Sequence, residues 1–175
     1  MEALFPVIFV IAIAELIVSG TWQKLYFTTG IPVFKKTVRL SESPELSSDG
    51  LNERFSGGFW GPLCFKPMSS NQIAFREAFF CFRLMNYTPV MHGLIRYDER
   101  MKELQVIGFV NWFAPLFIVL FIAMESSFPN SEEGIDIMFT VFPIGLFALL
   151  YFIQACRFRG VYKALSLQNS WQRKD

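Results

Sequence analysis

Three long apolar blocks, Leu4–Trp22, Val106–Met124 and Ile137–Cys156, decide most of what this 175-residue chain can fold into. Each runs 19–20 residues, close to the ~20 that an α-helix needs to cross a hydrocarbon core of roughly 30 Å. Buried helices of a soluble protein rarely carry apolar runs of this length three times over. The blocks are therefore read as three transmembrane helices.

Charge is distributed unevenly around them. Residues 21–104 hold eleven of the sixteen Lys and Arg, and the tail after Cys156 holds the other five. The segment between the second and third blocks, ESSFPNSEEGID, holds four acids and no base. With three spans, the middle segment and the tail share one side, so every basic residue falls in one compartment. Basic flanks stay in the cytoplasm. This predicts a multi-pass protein of the cytoplasmic (inner) membrane, with its N-terminus and an acidic loop (125–136) outside and a basic tail (157–175) inside. The Met-Glu-Ala start lacks the basic region of a signal peptide, so the first block is expected to remain as an uncleaved span. The three cysteines contain no CxxC pair, and a reducing cytoplasm makes disulfides unexpected.

Residues 23–105 form the one sizeable polar region, near the lower limit for an independent core. Its pattern is β-rich. Ile31–Leu40 is β-branched and partly alternating, with Pro32 suited to a strand start. Residues 41–58 are Ser-, Asp- and Gly-rich and read as a loop. GFWGPLCF reads as a turn into a strand, and residues 72–84 fit a strand or a helix, with alternation through Ile73 and Phe75 favouring strand. Leu94–Tyr97 and Glu103–Ile107 flank a charged DERMK turn, the signature of a hairpin. The expected fold is thus membrane α+β: three transmembrane helices with a small β-rich cytoplasmic domain between the first and second.

Few residues point to chemistry. One histidine, His92, excludes a multi-histidine metal site within one chain. GGFWG lacks the Lys and hydroxyl of a phosphate loop, and neither GxSxG nor GxGxxG occurs. No enzyme, cofactor, metal or nucleic-acid partner is expected. The exception to this blandness is Glu15, inside the first block. An ionisable group at membrane depth costs on the order of 2.5–3.5 kcal/mol and faces protein or water. Asn111 in the second block, and Tyr151 and Gln154 in the third, fall in the same cytoplasmic half. Glu15, Asn111, Tyr151 and Gln154 are expected to form an intramembrane polar cluster that binds the helices together. Lys35, Lys36, Arg39, Arg157, Arg159 and Lys163, with Trp22 and Trp171, are expected to meet lipid headgroups at the inner leaflet. Val161, Leu165 and Trp171 share a helical face that fits a helix lying on that leaflet.

These readings predict a scaffold or accessory subunit of a larger membrane assembly, partnered by lipid and by other membrane subunits or further copies of itself. An oligomeric transporter or ion-coupling subunit that titrates Glu15 is the alternative.

Overall fold

The hairpin expected between residues 92 and 110 lies at the heart of a five-stranded antiparallel sheet. The computed structural model describes residues 4–40, 47–57, 61–78, 90–125 and 137–171. In chain order the elements are α1 (Leu4–Gly20), α2 (Lys24–Thr28), β1 (Pro32–Arg39), α3 (Ser48–Arg54), β2 (Leu63–Ser69), β3 (Gln72–Glu77), β4 (Met91–Asp98), β5 (Glu103–Val110), α4 (Phe113–Glu125) and α5 (Ile137–Trp171). The strand order is β1-β5-β4-β3-β2, and every neighbouring pair is antiparallel. Asp98 closes the central hairpin by accepting the N–H groups of Arg100 and Met101, at 3.0 and 3.2 Å, the way an Asx turn replaces a backbone bond. The protein is an α+β fold.

The C-terminal half of α5 covers one face of the sheet. Phe158, Val161 and Leu165 are buried there with Phe34, Phe75, Met91, Ile95 and Val106. Two glycines make the approach possible. Gly93 and Gly108 face each other in register across β4 and β5. A Cβ on Gly93 would overlap the Phe75 ring, and one on Gly108 would overlap Phe158 and Met91. The basic tail therefore does not lie on a leaflet through Val161 and Leu165; those side chains cover the sheet. On the opposite face sits α2, which buries Tyr26 and Phe27 against Ala74.

The turn that brings α2 back under α1 rests on an unusual residue. Trp22 takes a left-handed φ of 58°, a conformation that normally selects glycine at a helix C-terminus. Its N–H donates to Ser19 O and that of Gln23 to Val18 O, both at 3.3 Å, so two of the last carbonyls of α1 are satisfied. The indole stacks on Phe27 at 5.1 Å and carries the Arg76 guanidinium 4.8 Å above its ring. These contacts offset the roughly 1–2 kcal/mol that a Cβ costs in this region.

Two expectations change. The block read as a second span divides: residues through Val110 belong to β5, and α4 begins only at Phe113. Hydropathy merges the two because β5 is largely buried on both faces, and such a strand reads as a continuous apolar run. The serine-rich segment expected as a loop contains α3, whose N-cap Ser47 Oγ accepts from the Gly50 N–H at 3.3 Å. Asn52 of α3 bonds both N–H and C=O of Phe65, at 2.7 and 3.0 Å, and so covers part of the β2 edge. Residues 41–46 and 58 of that segment, and 79–84 of the strand expected at 72–84, lie outside the described residues.

The three apolar helices all leave from one end of the sheet. α1 packs on α4, and α4 packs on the N-terminal half of α5. Among the described residues one helix is long and apolar enough to cross a membrane by length and composition: α5, over Val141–Ser166. Phe9–Gly20 of α1 is apolar but shorter.

Candidate functional site

The polar side chains of this chain gather at two junctions between helices and sheet. At the first, Glu15 of α1 reaches the N-terminus of α4. The N–H of Trp112 donates to Glu15 Oε1 and that of Phe113 to Oε2, each at 2.6 Å. The Tyr26 hydroxyl donates to Oε1 at 2.7 Å. Tyr26 Oη also lies 3.1 Å from Asn111 Oδ1. The same amide oxygen is 2.8 Å from His92 Nδ1. Glu15, Tyr26, Asn111 and His92 are buried. The His92 ring stacks on Tyr26 at 4.2 Å.

The donors at the start of α4 can be followed one by one. Trp112 and Phe113 give theirs to Glu15, and Ala114 bonds the Asn111 carbonyl at 3.4 Å. Pro115 has no N–H to satisfy, and Leu116 bonds the Trp112 carbonyl at 3.3 Å. Glu15 thus acts as the anionic cap of α4, supplied from another helix and aligned with the positive end of the helix dipole.

At the second junction, Glu77 at the end of β3 accepts from Gln154 Nε2 at 2.9 Å and pairs with Arg157 Nη1. Arg157 Nη2 donates to the Gly61 carbonyl at 2.7 Å. This ion pair ties the middle of α5 to the far half of the sheet.

Glu15 and Asn111 therefore meet, through Tyr26. They do so where the helices join the sheet, because Asn111 lies between β5 and α4. Gln154 belongs to the Glu77 junction, and Tyr151 lines an apolar groove between α4, α5 and the sheet. Arg157 is committed to Glu77 and Gly61 rather than to headgroups. Trp22 is half-buried beneath Arg76. Lys35, Lys36, Arg39, Arg159 and Lys163 are exposed, with Arg39 3.2 Å from Glu103. Trp171 ends α5, and its side chain lies outside the described residues. Tyr26 and Glu77 escaped sequence reasoning. A lone acid in the apolar run AFREAFF and the Gln154–Arg157 spacing on α5 were the available signals.

Burial raises the Tyr26 hydroxyl well above the ordinary phenol range, reinforced by the neighbouring Glu15 charge. Burial lowers the His92 imidazole to about 4, opposed by Asn111 and the backbone carbonyls of Tyr26 and Thr29. The imidazole of the unfolded chain titrates near its ordinary 6.5. Between those values the unfolded chain binds a proton that the folded one refuses. Stability therefore falls as pH drops through this window, by on the order of 3 kcal/mol at its acid end. Melting in mild detergent at pH 7.5 and 4.5 should show a larger acid-induced drop for the native chain than for His92→Phe. Equal drops would contradict the assignment.

Among the described residues no three His, Cys, Asp or Glu side chains group to hold a metal ion. Comparison with protein-family models, curated proteins and solved structures finds no match.

Proposed function

We propose that the chain is an integral membrane scaffold or accessory subunit. In this reading α1, α4 and the N-terminal half of α5 enter the cytoplasmic membrane, and the sheet stands on its inner surface. The observation that carries the reading is the outward face of the three helices. Val7, Phe9, Val10, Ile13 and Ile17 of α1 are all more than two-fifths exposed. So are Phe117, Val119 and Ile122 of α4, and Val141, Phe142, Leu149 and Phe152 of α5. Soluble monomers rarely expose contiguous apolar patches beyond a few hundred Å², whereas a bilayer requires such a surface. The placing of all sixteen basic residues outside the three apolar blocks supports a cytoplasmic position for the sheet side, with the N-terminus and the acidic segment 125–136 outside.

A scaffold is favoured over an ion-coupling subunit by the state of Glu15. Its oxygens are occupied by two backbone N–H groups and a phenol, each holding structure together. The ion pair at Glu77 likewise fixes α5 to the sheet. What the chain offers others is a rigid cytoplasmic platform and apolar helix faces. Extraction from its native membrane in mild detergent should give a particle with a second polypeptide or a second copy in fixed ratio. A strictly monomeric particle would contradict the scaffold reading.

A further inference from the structure

A groove of about 440 Å³ opens between the start of β1, α4 and α5. Its walls include Val33, Met91, Pro115, Ile118, Phe152 and Ala155, and they are almost wholly apolar. The groove lies where the helices leave the sheet. β1 and α5 run side by side away from that end: Phe34 meets Phe158 at 6.2 Å, and Tyr162 Oη lies 3.5 Å from Thr37 O. Ala155 shares the groove wall with Val33 and lies one turn before Arg159, and Lys36 follows Phe34 by two residues on the same face of β1, so Arg159 and Lys36 both lie just beyond the Phe34–Phe158 contact. Both cations are exposed. An apolar slot at the membrane end therefore continues into a cationic rim on the sheet side.

We infer that this groove holds an acyl chain of an anionic phospholipid from the cytoplasmic leaflet, with its phosphate at Arg159 and Lys36. The inference rests on the membrane reading above and adds a defined site to it. The volume falls in the range of roughly 300–1,000 Å³ typical of small-molecule sites. The order of apolar wall and cationic rim matches the order of tail and phosphate in a lipid. Cations at an anionic surface contribute about fivefold each.

The test is native mass spectrometry of the full chain, released from bilayers of equal phosphatidylglycerol and phosphatidylcholine. One retained phosphatidylglycerol per chain is expected, in preference to phosphatidylcholine. Ala155→Trp, which fills the slot, should abolish retention. Replacing Lys36 and Arg159 together by Glu should leave the fold intact at these exposed positions and remove the preference for the anionic lipid. Equal retention of both lipids by the native chain would overturn the site, as would undiminished retention by Ala155→Trp or by the double variant. An alkaline carbonate wash separates the two claims. A chain that stays in the bilayer but fails these tests loses only the groove, whereas one that washes off loses the membrane reading with it.

Discussion

Glu77→Ala should destabilise the protein by on the order of 3–5 kcal/mol, the usual consequence of removing one partner of a buried ion pair. Glu77 is 4% exposed, and the Arg157 side chain 14%. The truncation would take the carboxylate from a mostly buried guanidinium and would leave Gln154 without the oxygen it bonds. The contact also spans a long stretch of chain, joining β3 to α5. Losing it should loosen α5 from the sheet. For a chain of this size the melting temperature in mild detergent should fall by roughly 10 °C. Replacing Glu77 and Arg157 together by Leu and Met should cost far less, because no charge is then stranded. A Glu77→Ala variant that melts within a degree or two of the native chain would refute this account of the junction.

Glu15→Ala should cost about 3 kcal/mol. Hydrogen bonds to a charged group contribute roughly 1.5–3 kcal/mol, and an unsatisfied buried donor carries a penalty of about 1–3 kcal/mol. The substitution strands two such donors, at Trp112 and Phe113, together with the Tyr26 hydroxyl. It also removes the anion at the positive end of α4. Glu15→Gln keeps one carbonyl oxygen but turns an NH₂ group toward an N–H donor, so about half of the loss should remain. Hydrogen exchange gives the specific signature. The Trp112 and Phe113 amides should lose protection in both variants, while amides of the distant β2–β3 ladder should not. Unchanged protection at Trp112 and Phe113 would remove Glu15 from its role as cap. The same variant separates the functional readings. A scaffold with Glu15→Gln is less stable and less well assembled. An ion-coupling subunit would keep its assembly and lose a pH-dependent flux.

The parts of this fold legible in the sequence are those where one local rule acts alone. The β4–β5 hairpin is written in alternation on either side of a charged turn, and β1 in its β-branched residues after Pro32. The division of block two was hidden. Val106–Val110 is buried in a sheet rather than in lipid, and hydropathy cannot distinguish the two. The helical period of Val161 and Leu165 was correctly visible, but an amphipathic face does not name what it covers, and here it covers a sheet. The junction at Glu15 was half legible. The cost of the carboxylate implies a partner in protein, and Asn111 comes to it through Tyr26. Tyr26 suits an interfacial aromatic in the sequence, and its place beside Glu15 depends on Trp22 adopting a glycine-like backbone, for which a tryptophan gives no warning. Glu77 and Arg157 lie 80 positions apart, so only the packed fold brings them together.

The central claim is that the sheet lies on the cytoplasmic side, with all three apolar helices entering the membrane from one end of it. Labelling of single cysteines in intact cells tests this most directly. Cys64, Cys81 and Cys156 are first replaced by Ser, and one cysteine is then introduced at Ser56, beside α3, or at Ser127, in the acidic segment. A membrane-impermeant thiol reagent added from outside should label the Ser127→Cys chain, and should reach the Ser56→Cys chain only after the cells are lysed. Labelling of Ser56→Cys in intact cells, with Ser127→Cys protected, would contradict the account.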